Sequence, residues 1–449
     1  MVKLPAQTLQ TLVSFNGTNG ENPIAALTLG NDGNFFGTTI NGGSSSVGTV
    51  FKVTTNGALT TLVSFNNTNG AYPRATLRLG SNGNFYGTTE EGGGSGYGTV
   101  FKVTTNGTLT TLVSFNGTNG KYPIAGLTLG TDGNFYGTTE AGSSDAGTVF
   151  KVTTNGALTT LVSFNGTNGA EPYGALALGN DGNFYGTTAT GGSSNNYGTV
   201  FKVTTNGTLT TLVSFSYTNG VYPIAGLTLG ADGNFYGTTQ GGGNTNIYGG
   251  YGGGTIFQVT TNGTLTTLVS FSDTNGAFTH AALTLGTDGN FYGMTEQGGS
   301  IGLGTVLKVT TNGALTTLVS FGRTNGAFPQ AALTLGTDGN FYGTTSGGGI
   351  INSTDPNGCG MVFRLTLSSV VPPPVISPTL TLQFLAGYPL LSVVGTLGDT
   401  YTVEYTTNLA VPNWTPILIV PNLSISPFQM IDPAGVGQPA RYYRAVQSQ

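Results

Sequence analysis

The 449-residue chain carries charge on only 7% of its side chains, 13 Lys and Arg against 18 Asp and Glu for a net charge of −5, where soluble domains average roughly 25%. Scattered cations of that number build no basic patch able to displace counterions, so no nucleic-acid partner is expected. A single cysteine excludes an internal disulfide, and no apolar run reaches the roughly 18 residues of a membrane helix, so no transmembrane segment is expected.

The opening segment, Met1 to Gln10, is too short and too polar for a secretory signal. Either this is a cytosolic start or a leader has been removed, and the composition of the protein's surface favours the second. Leu9 to Phe15 (LQTLVSF) reads as a strand, and it also begins a repeat. The phrase Asp-Gly-Asn-Phe-Tyr-Gly-Thr-Thr, or a near copy, starts at residues 32, 82, 132, 181, 232, 288 and 338. Two other phrases, Gly-Thr-Val-Phe-Lys-Val-Thr-Thr-Asn-Gly and Leu-x-Thr-Leu-Val-Ser-Phe, recur with it. One copy cannot bury its own apolar face, so seven copies must stack on one another.

The second copy illustrates the unit. Ala75 to Gly80 alternates apolar and polar residues as a strand does, and Ser81-Asn82-Gly83 is a tight turn. Asn84 to Thr89 is the next strand, followed by a glycine-rich loop. Gly98 to Thr105 is the third strand, Asn106-Gly107 a second hairpin turn, and Leu109 to Phe115 the fourth strand. No segment has a 3.6-residue apolar stripe. Four antiparallel strands per copy, seven times over, predict an all-β, seven-bladed β-propeller spanning 1–369. The last copy ends on its third strand, Met361 to Leu367, so Leu9 to Phe15 is expected to supply its outer strand and close the ring.

The copies differ mainly on one face. The loop after the second strand is long in the fifth copy (Gln240 to Gly254, with Tyr248 and Tyr251) and in the seventh (Ser346 to Gly360). The start of the innermost strand varies as Ile24, Arg74, Ile124, Tyr173, Ile224, His280 and Gln330. Just before it stand Asn22, Tyr72, Tyr122, Glu171, Tyr222, Phe278 and Phe328, mostly followed by proline. The candidate ligand-binding residues are therefore Tyr72, Arg74, Tyr122, Tyr173, Tyr222, Tyr248, Tyr251 and His280, around the mouth of a central channel. The competing reading is that loops tolerate drift and the aromatics pack between blades.

Chemistry is sparse. The turn carboxylates Asp32, Asp132, Asp181, Asp232, Asp288 and Asp338 are explained by turn geometry, and calcium would need more oxygen ligands per site. Glu90, Glu140, Gln240 and Glu296 end the second strand near the variable face. Paired carboxylates could serve acid–base chemistry on a polysaccharide, but no spacing in the sequence pairs them. His280 is the only histidine, and its sequence neighbours suggest no triad. Cys359 has no basic partner in view. No catalytic residue, cofactor or metal is expected.

The repeat stops near Ser369. A proline-rich linker is expected over 370–379, then a small β-sandwich of fibronectin or immunoglobulin type over 380–449. Its strands are read at Leu380–Leu385, Leu390–Val394, Tyr401–Tyr405, Ile417–Val420 and Arg441–Ala445, with Trp414, Tyr401, Tyr405 and Tyr443 in its core.

The phrases GNFYGTT, GTVFKVTTNG and LTTLVSF, recurring in order over residues 9–367, resemble the GloVer tandem repeat of bacterial secreted proteins, the choice-of-anchor family. The stretch YTVEYTTNLAVPNW…RYYRA is similar to β-sandwich modules that end secreted bacterial proteins. The resemblance implies an exported or surface-attached propeller without an assigned activity, and no catalytic residues to carry over. The expectation is a monomeric, non-catalytic binding or adhesion module, extracellular or at the cell surface, whose partner is a glycan or a surface protein. The alternatives are a structural spacer without a ligand and a polysaccharide-acting enzyme.

Overall fold

A computed structural model describes residues 7–193, 195–244, 246–349, 357–367, 379–385, 388–394, 400–410, 412–420, 428–436 and 440–448. The chain divides into a unit over Gln7–Leu367 and a second, C-terminal unit. The first is a seven-bladed propeller of seven four-stranded antiparallel sheets. Blade 1 is Thr28–Leu29, Phe35–Thr39, Thr49–Val53 and Leu59–Ser64, from the axis outward, and blades 2 to 6 repeat it. Blade 7 takes Thr334–Leu335, Phe341–Thr345 and Met361–Thr366, and its outer strand is Thr8–Ser14 from the N-terminus. The expected ring closure is thus present.

Each residue of the Phe-Tyr-Gly-Thr-Thr phrase has a separate task. Successive strand residues point to opposite faces, so the Phe and the Tyr reach different neighbours. Phe35 lies on Tyr342 of blade 7 at 4.1 Å between ring centres, and Phe36 lies on Phe85 of blade 2 at 4.1 Å. The same contact recurs at every remaining junction, Tyr86–Phe135, Tyr136–Phe184, Tyr185–Phe235, Tyr236–Phe291 and Tyr292–Phe341. Each such pair contributes about 0.5–1.5 kcal/mol beyond the area it buries. The glycine leaves room for a third-strand ring: a Cβ at Gly137 would meet Phe150 Cζ at 2.6 Å. The first Thr hydroxyl donates to a backbone carbonyl of the next blade, as Thr38 does to Ala75 O at 3.2 Å and Thr344, across the closure, to Ala25 O at 3.1 Å. The second, Thr39, meets the Thr49 hydroxyl at 2.8 Å.

The innermost strand is shorter than the Ala75 to Gly80 expected. Only Arg78–Leu79 pairs with the second strand. Upstream of it, Ala75 O accepts from Thr38, and the Thr76 hydroxyl accepts from Ala26 N at 3.1 Å. This stretch is hydrogen-bonded to the preceding blade, which leaves fewer groups to extend its own ladder.

The turn aspartates do more than shape the turn. Asp181 accepts from Asn183 N at 3.1 Å, from the Tyr185 hydroxyl at 2.9 Å and from Lys202 at 2.8 Å. Lys202 also lies 5.6 Å over the Tyr185 ring. Lys52–Asp32, Lys151–Asp132 and Lys308–Asp288 repeat the arrangement at 2.7–2.8 Å.

The C-terminal unit is a small sandwich of two three-stranded sheets. Tyr388–Val394 is central to one, between Thr379–Leu385 and Phe428–Ile431. Thr400–Thr406 is central to the other, between Thr415–Val420 and Tyr442–Ser448. Phe428–Ile431 has no counterpart among the strands read from sequence. Leu391, Val393 and Val403 form the shared core with Leu380, Ile417, Met430 and Tyr443 around them. Tyr401 is buried as expected. Trp414 and Tyr405 are not core residues: each is half-buried, with Arg444 4.3 Å over Trp414 and Arg441 3.8 Å over Tyr405. An aromatic beside an arginine gains from stacking at the surface. The linker expected over 370–379 lies, apart from Thr379, outside the described residues.

Candidate functional site

The loops that join blades and the loops that follow second strands meet on one face. Backbone bridges tie them at Glu21–Asn41, Ala71–Glu91, Lys121–Ala141, Ala170–Thr190, Val221–Gly241, Ala277–Gln297 and Ala327–Gly347. At the centre of this face lies a cavity of about 480 Å³, within the range of small-molecule sites. Its wall takes one residue from the start of each innermost strand, Ile24, Arg74, Ile124, Tyr173, Ile224, His280 and Gln330. Below them the floor is almost all Ala and Gly, because seven strands converge on the axis and leave no width for larger side chains.

Two polar arcs face each other across the cavity. On blades 2 to 4, Arg74 is ion-paired with Glu90. The Tyr173 hydroxyl sits 3.3 Å from Glu140 Oε1 and 3.4 Å from Glu171 Oε2. Burial raises the Glu140 pKa; the Tyr173 hydrogen bond opposes the rise, and the charges of Glu90 and Glu171 add to it. On blades 5 to 7, His280 Nε2 lies 2.9 Å from Glu296 Oε2, and Gln330 Nε2 donates to Glu296 Oε1 at 2.8 Å. Gln240 lies 3.1 Å from His280 and 3.3 Å from the Tyr251 hydroxyl. Burial opposes ionisation of Glu296, but hydrogen bonds from His280 and Gln330 outweigh it and lower its pKa. Among the described residues, no group of three or more His, Cys, Asp or Glu is placed to hold a metal ion.

A model of the Gloeobacter/Verrucomicrobia repeat matches residues 1–144, 125–249 and 244–372. The chain belongs to the Gloeobacter/Verrucomicrobia repeat family. No curated protein matches it. The fold is similar to that of the BP39L lectin from Burkholderia pseudomallei, at 13% identity and a TM-score of 0.52, over 89% of this chain and 99% of the lectin. It is also similar to a PL25 ulvan lyase, at 10% identity and TM-score 0.46, over 77% and 94%. A protein of unknown function from Dyadobacter fermentans matches at 10% identity and TM-score 0.46, over 80% and 98%. At these identities the likeness is one of fold alone.

Of the residues singled out in this Gloeobacter/Verrucomicrobia repeat protein, Arg74, Tyr173 and His280 line the cavity. Tyr72, Tyr122 and Tyr222 stand outside its lining. Their position is held in the left-handed region in all seven blades, φ 54–58°, because both of its peptide groups are engaged. Tyr122 N donates to Tyr97 O of the preceding blade's loop, and Tyr122 O accepts from Glu140 N. The rings then pack on loops. Tyr122 meets Tyr97 at 5.9 Å, Tyr222 stacks on Tyr251 at 6.1 Å, and Tyr72 joins the core between blades 1 and 2. Tyr248 and Tyr251 pack on Phe278 at 4.6 and 5.9 Å, and the Tyr248 hydroxyl bonds Asp273. They brace the long fifth loop, and only Tyr248 is exposed. Residues 350–356 of the seventh loop lie outside the described residues.

The sequence offered no spacing that pairs Glu90, Glu140, Gln240 and Glu296 with one another. Glu90 and Glu140 in fact line the cavity, Glu296 is bonded to the lining residues His280 and Gln330, and Gln240 touches the same His280. The signal was available. Each stands sixteen residues after a variable inner-strand position (Arg74 and Glu90, His280 and Glu296), so two variable positions recur at one spacing and meet in space.

Proposed function

We propose that this protein is a non-catalytic binding module that takes a glycan at the channel mouth. The observation that supports the reading most is where the blades differ. Seven units share the same strands, turns and inter-blade stacks, yet the ring lining the cavity holds five residue types at seven positions. A scaffold with nothing to bind has no reason to keep its core uniform and gather its variety in one concave site. The lining offers apolar Ile24, Ile124 and Ile224 for C–H faces, with amides, a phenol and carboxylates for hydroxyl groups. Inter-blade hydrogen bonds hold these polar groups in place before a ligand arrives, which lowers the cost of binding. The site is concave and of small-molecule size, which favours a sugar over a protein surface.

The chain acts outside the cell or at its surface, as a monomer, in this proposal. Low charge and abundant Thr, Asn and Gly suit that setting, and among the described residues no helix is long and apolar enough to cross a membrane. A glycan array with the full chain tests the reading. Binding to a defined oligosaccharide, lost when Ile124→Trp and Ile224→Trp fill the mouth, is the expected result. Binding that survives both substitutions would move the site elsewhere, and no binding to any glycan would leave a spacer. Turnover of a bound polysaccharide, abolished by Glu140→Gln, would make it an enzyme.

A further inference from the structure

The four carboxylates around the mouth are not equally served by hydrogen-bond donors. Glu90 has the Arg74 guanidinium. Glu296 has both His280 and Gln330, at 2.9 and 2.8 Å. Glu140 and Glu171 have one donor between them, the Tyr173 hydroxyl, at 3.3 and 3.4 Å. A phenol carries a single proton, so it can serve only one carboxylate at a time. Both distances are long for an O–H···O bond. A half-buried carboxylate without a full set of donors is costly, and a ligand that brings donors there relieves the cost.

The cavity as a whole is electronegative. Glu90 and Glu140 line it, and Glu171 and Glu296 stand just behind, bonded to the lining residues Tyr173 and His280; against them are only Arg74 and His280, and Arg74 is already committed to Glu90. An anionic ligand would meet net repulsion and find no free cation. A hydroxyl alone offers one donor, whereas an ammonium offers three and a compensating charge. The opposite arc, with the Gln240 and Gln330 amides and His280, suits the hydroxyls of the same molecule.

We propose that the mouth selects amino sugars, seating a primary ammonium between Glu140 and Glu171 and a hydroxyl-bearing face against Gln240, His280 and Gln330. This rests on the glycan-binding reading above and names the substrate class of that site. It excludes uronates, and it ranks an N-acetylated sugar below the free amine, since acetylation removes the charge and two of the three donors.

Calorimetric titration of the full chain at pH 6 with glucosamine oligomers, their N-acetylated counterparts and galacturonate oligomers tests it. Glucosamine oligomers should bind at least about tenfold more tightly than the acetylated series, and galacturonate should not bind. Glu140→Gln and Glu171→Gln, each with an unchanged melting curve, should weaken the amine about tenfold and leave the acetylated sugar where it was. Tyr173→Phe removes the shared donor and should leave amine binding as tight or tighter, which a merely structural role for this cluster does not predict. Equal affinity for amine and acetylated oligomers, or a preference for galacturonate, overturns amine selection while leaving glycan binding at the mouth intact. Failure of every oligosaccharide to bind sinks both.

Discussion

At the scale of single residues, the repeat economises by giving one side chain several partners. The turn aspartates are the example. Burial disfavours the Asp32 carboxylate, but hydrogen bonds from Lys52 and Asn34 outweigh it and hold its pKa at about 2. Asp132, Asp181 and Asp288 are depressed for the same reasons, with a tyrosine hydroxyl added. A carboxyl whose folded pKa lies below its unfolded value of about 3.9 contributes stability above that pH and loses it as the pH falls toward 2. These side chains are 35–40% exposed, so solvent screening limits each pin to about 0.2–1 kcal/mol. Asp181→Asn should lower stability by that amount in urea unfolding at pH 7 and by clearly less near pH 2. Equal stability at both pH values would show that the lysine bond contributes nothing. The strand glycines offer a second test with a built-in control. Gly137→Ala would drive a Cβ to 2.6 Å from the Phe150 ring and should cost about 1–3 kcal/mol. In blade 6 the ring is replaced by Leu307, 3.5 Å from the same point, and the nearest atom belongs to Leu283. Both are flexible aliphatic side chains, so Gly293→Ala should cost clearly less. Thermal melts of the two variants decide it.

At the scale of elements, the outer strand of blade 7 is the one that no turn holds in place. Thr8–Ser14 pairs with Met361–Thr366 across the whole length of the propeller. Phe15 is fully buried and packs edge-on against Phe51 at 5.1 Å, as Phe65 does against Phe101 at 5.2 Å. Removing residues 1–16 would uncover the edge of Met361–Thr366 and should lower the melting temperature markedly and promote association through the bare edge. Phe15→Ala is the milder form and should cost about 3–5 kcal/mol. If both melt like the parent, the closing strand adds no stability. The elements also show why the aromatics beside the prolines misled. Sequence marks Tyr72, Tyr122 and Tyr222 as variable, bulky and near the mouth. It does not show that the residue there adopts positive φ with both peptide groups bonded, which leaves the rings packed against loops outside the cavity lining.

At the scale of the molecule, the ring has one seam, where Thr8–Ser14 pairs with Met361–Thr366. The seventh inter-blade stack, Phe35 on Tyr342, has the same spacing as the other six. A permuted propeller that joins Leu367 to Gln7 through an Asn-Gly hairpin, and opens at Asn106-Gly107, should therefore keep seven blades and melt within a few degrees of the unpermuted ring. A large loss would mean that the seam carries a specific function. The periodic phrases determined the blade, the number of blades and the strand that closes them. These follow from local alternation, turn chemistry and the need to bury apolar faces, all of which are written along the chain. The tail's strands were legible for the same reason, apart from Phe428–Ile431, a short segment without a strong alternating pattern. Only the tertiary structure decided which side chains bond across neighbouring blades at the mouth. Glu140 and Tyr173 stand 33 residues apart on different blades, as do Glu296 and Gln330, 34 apart. Which side chains meet at the axis depends on how seven twisted sheets converge, and no sequence period encodes a contact that the convergence itself creates.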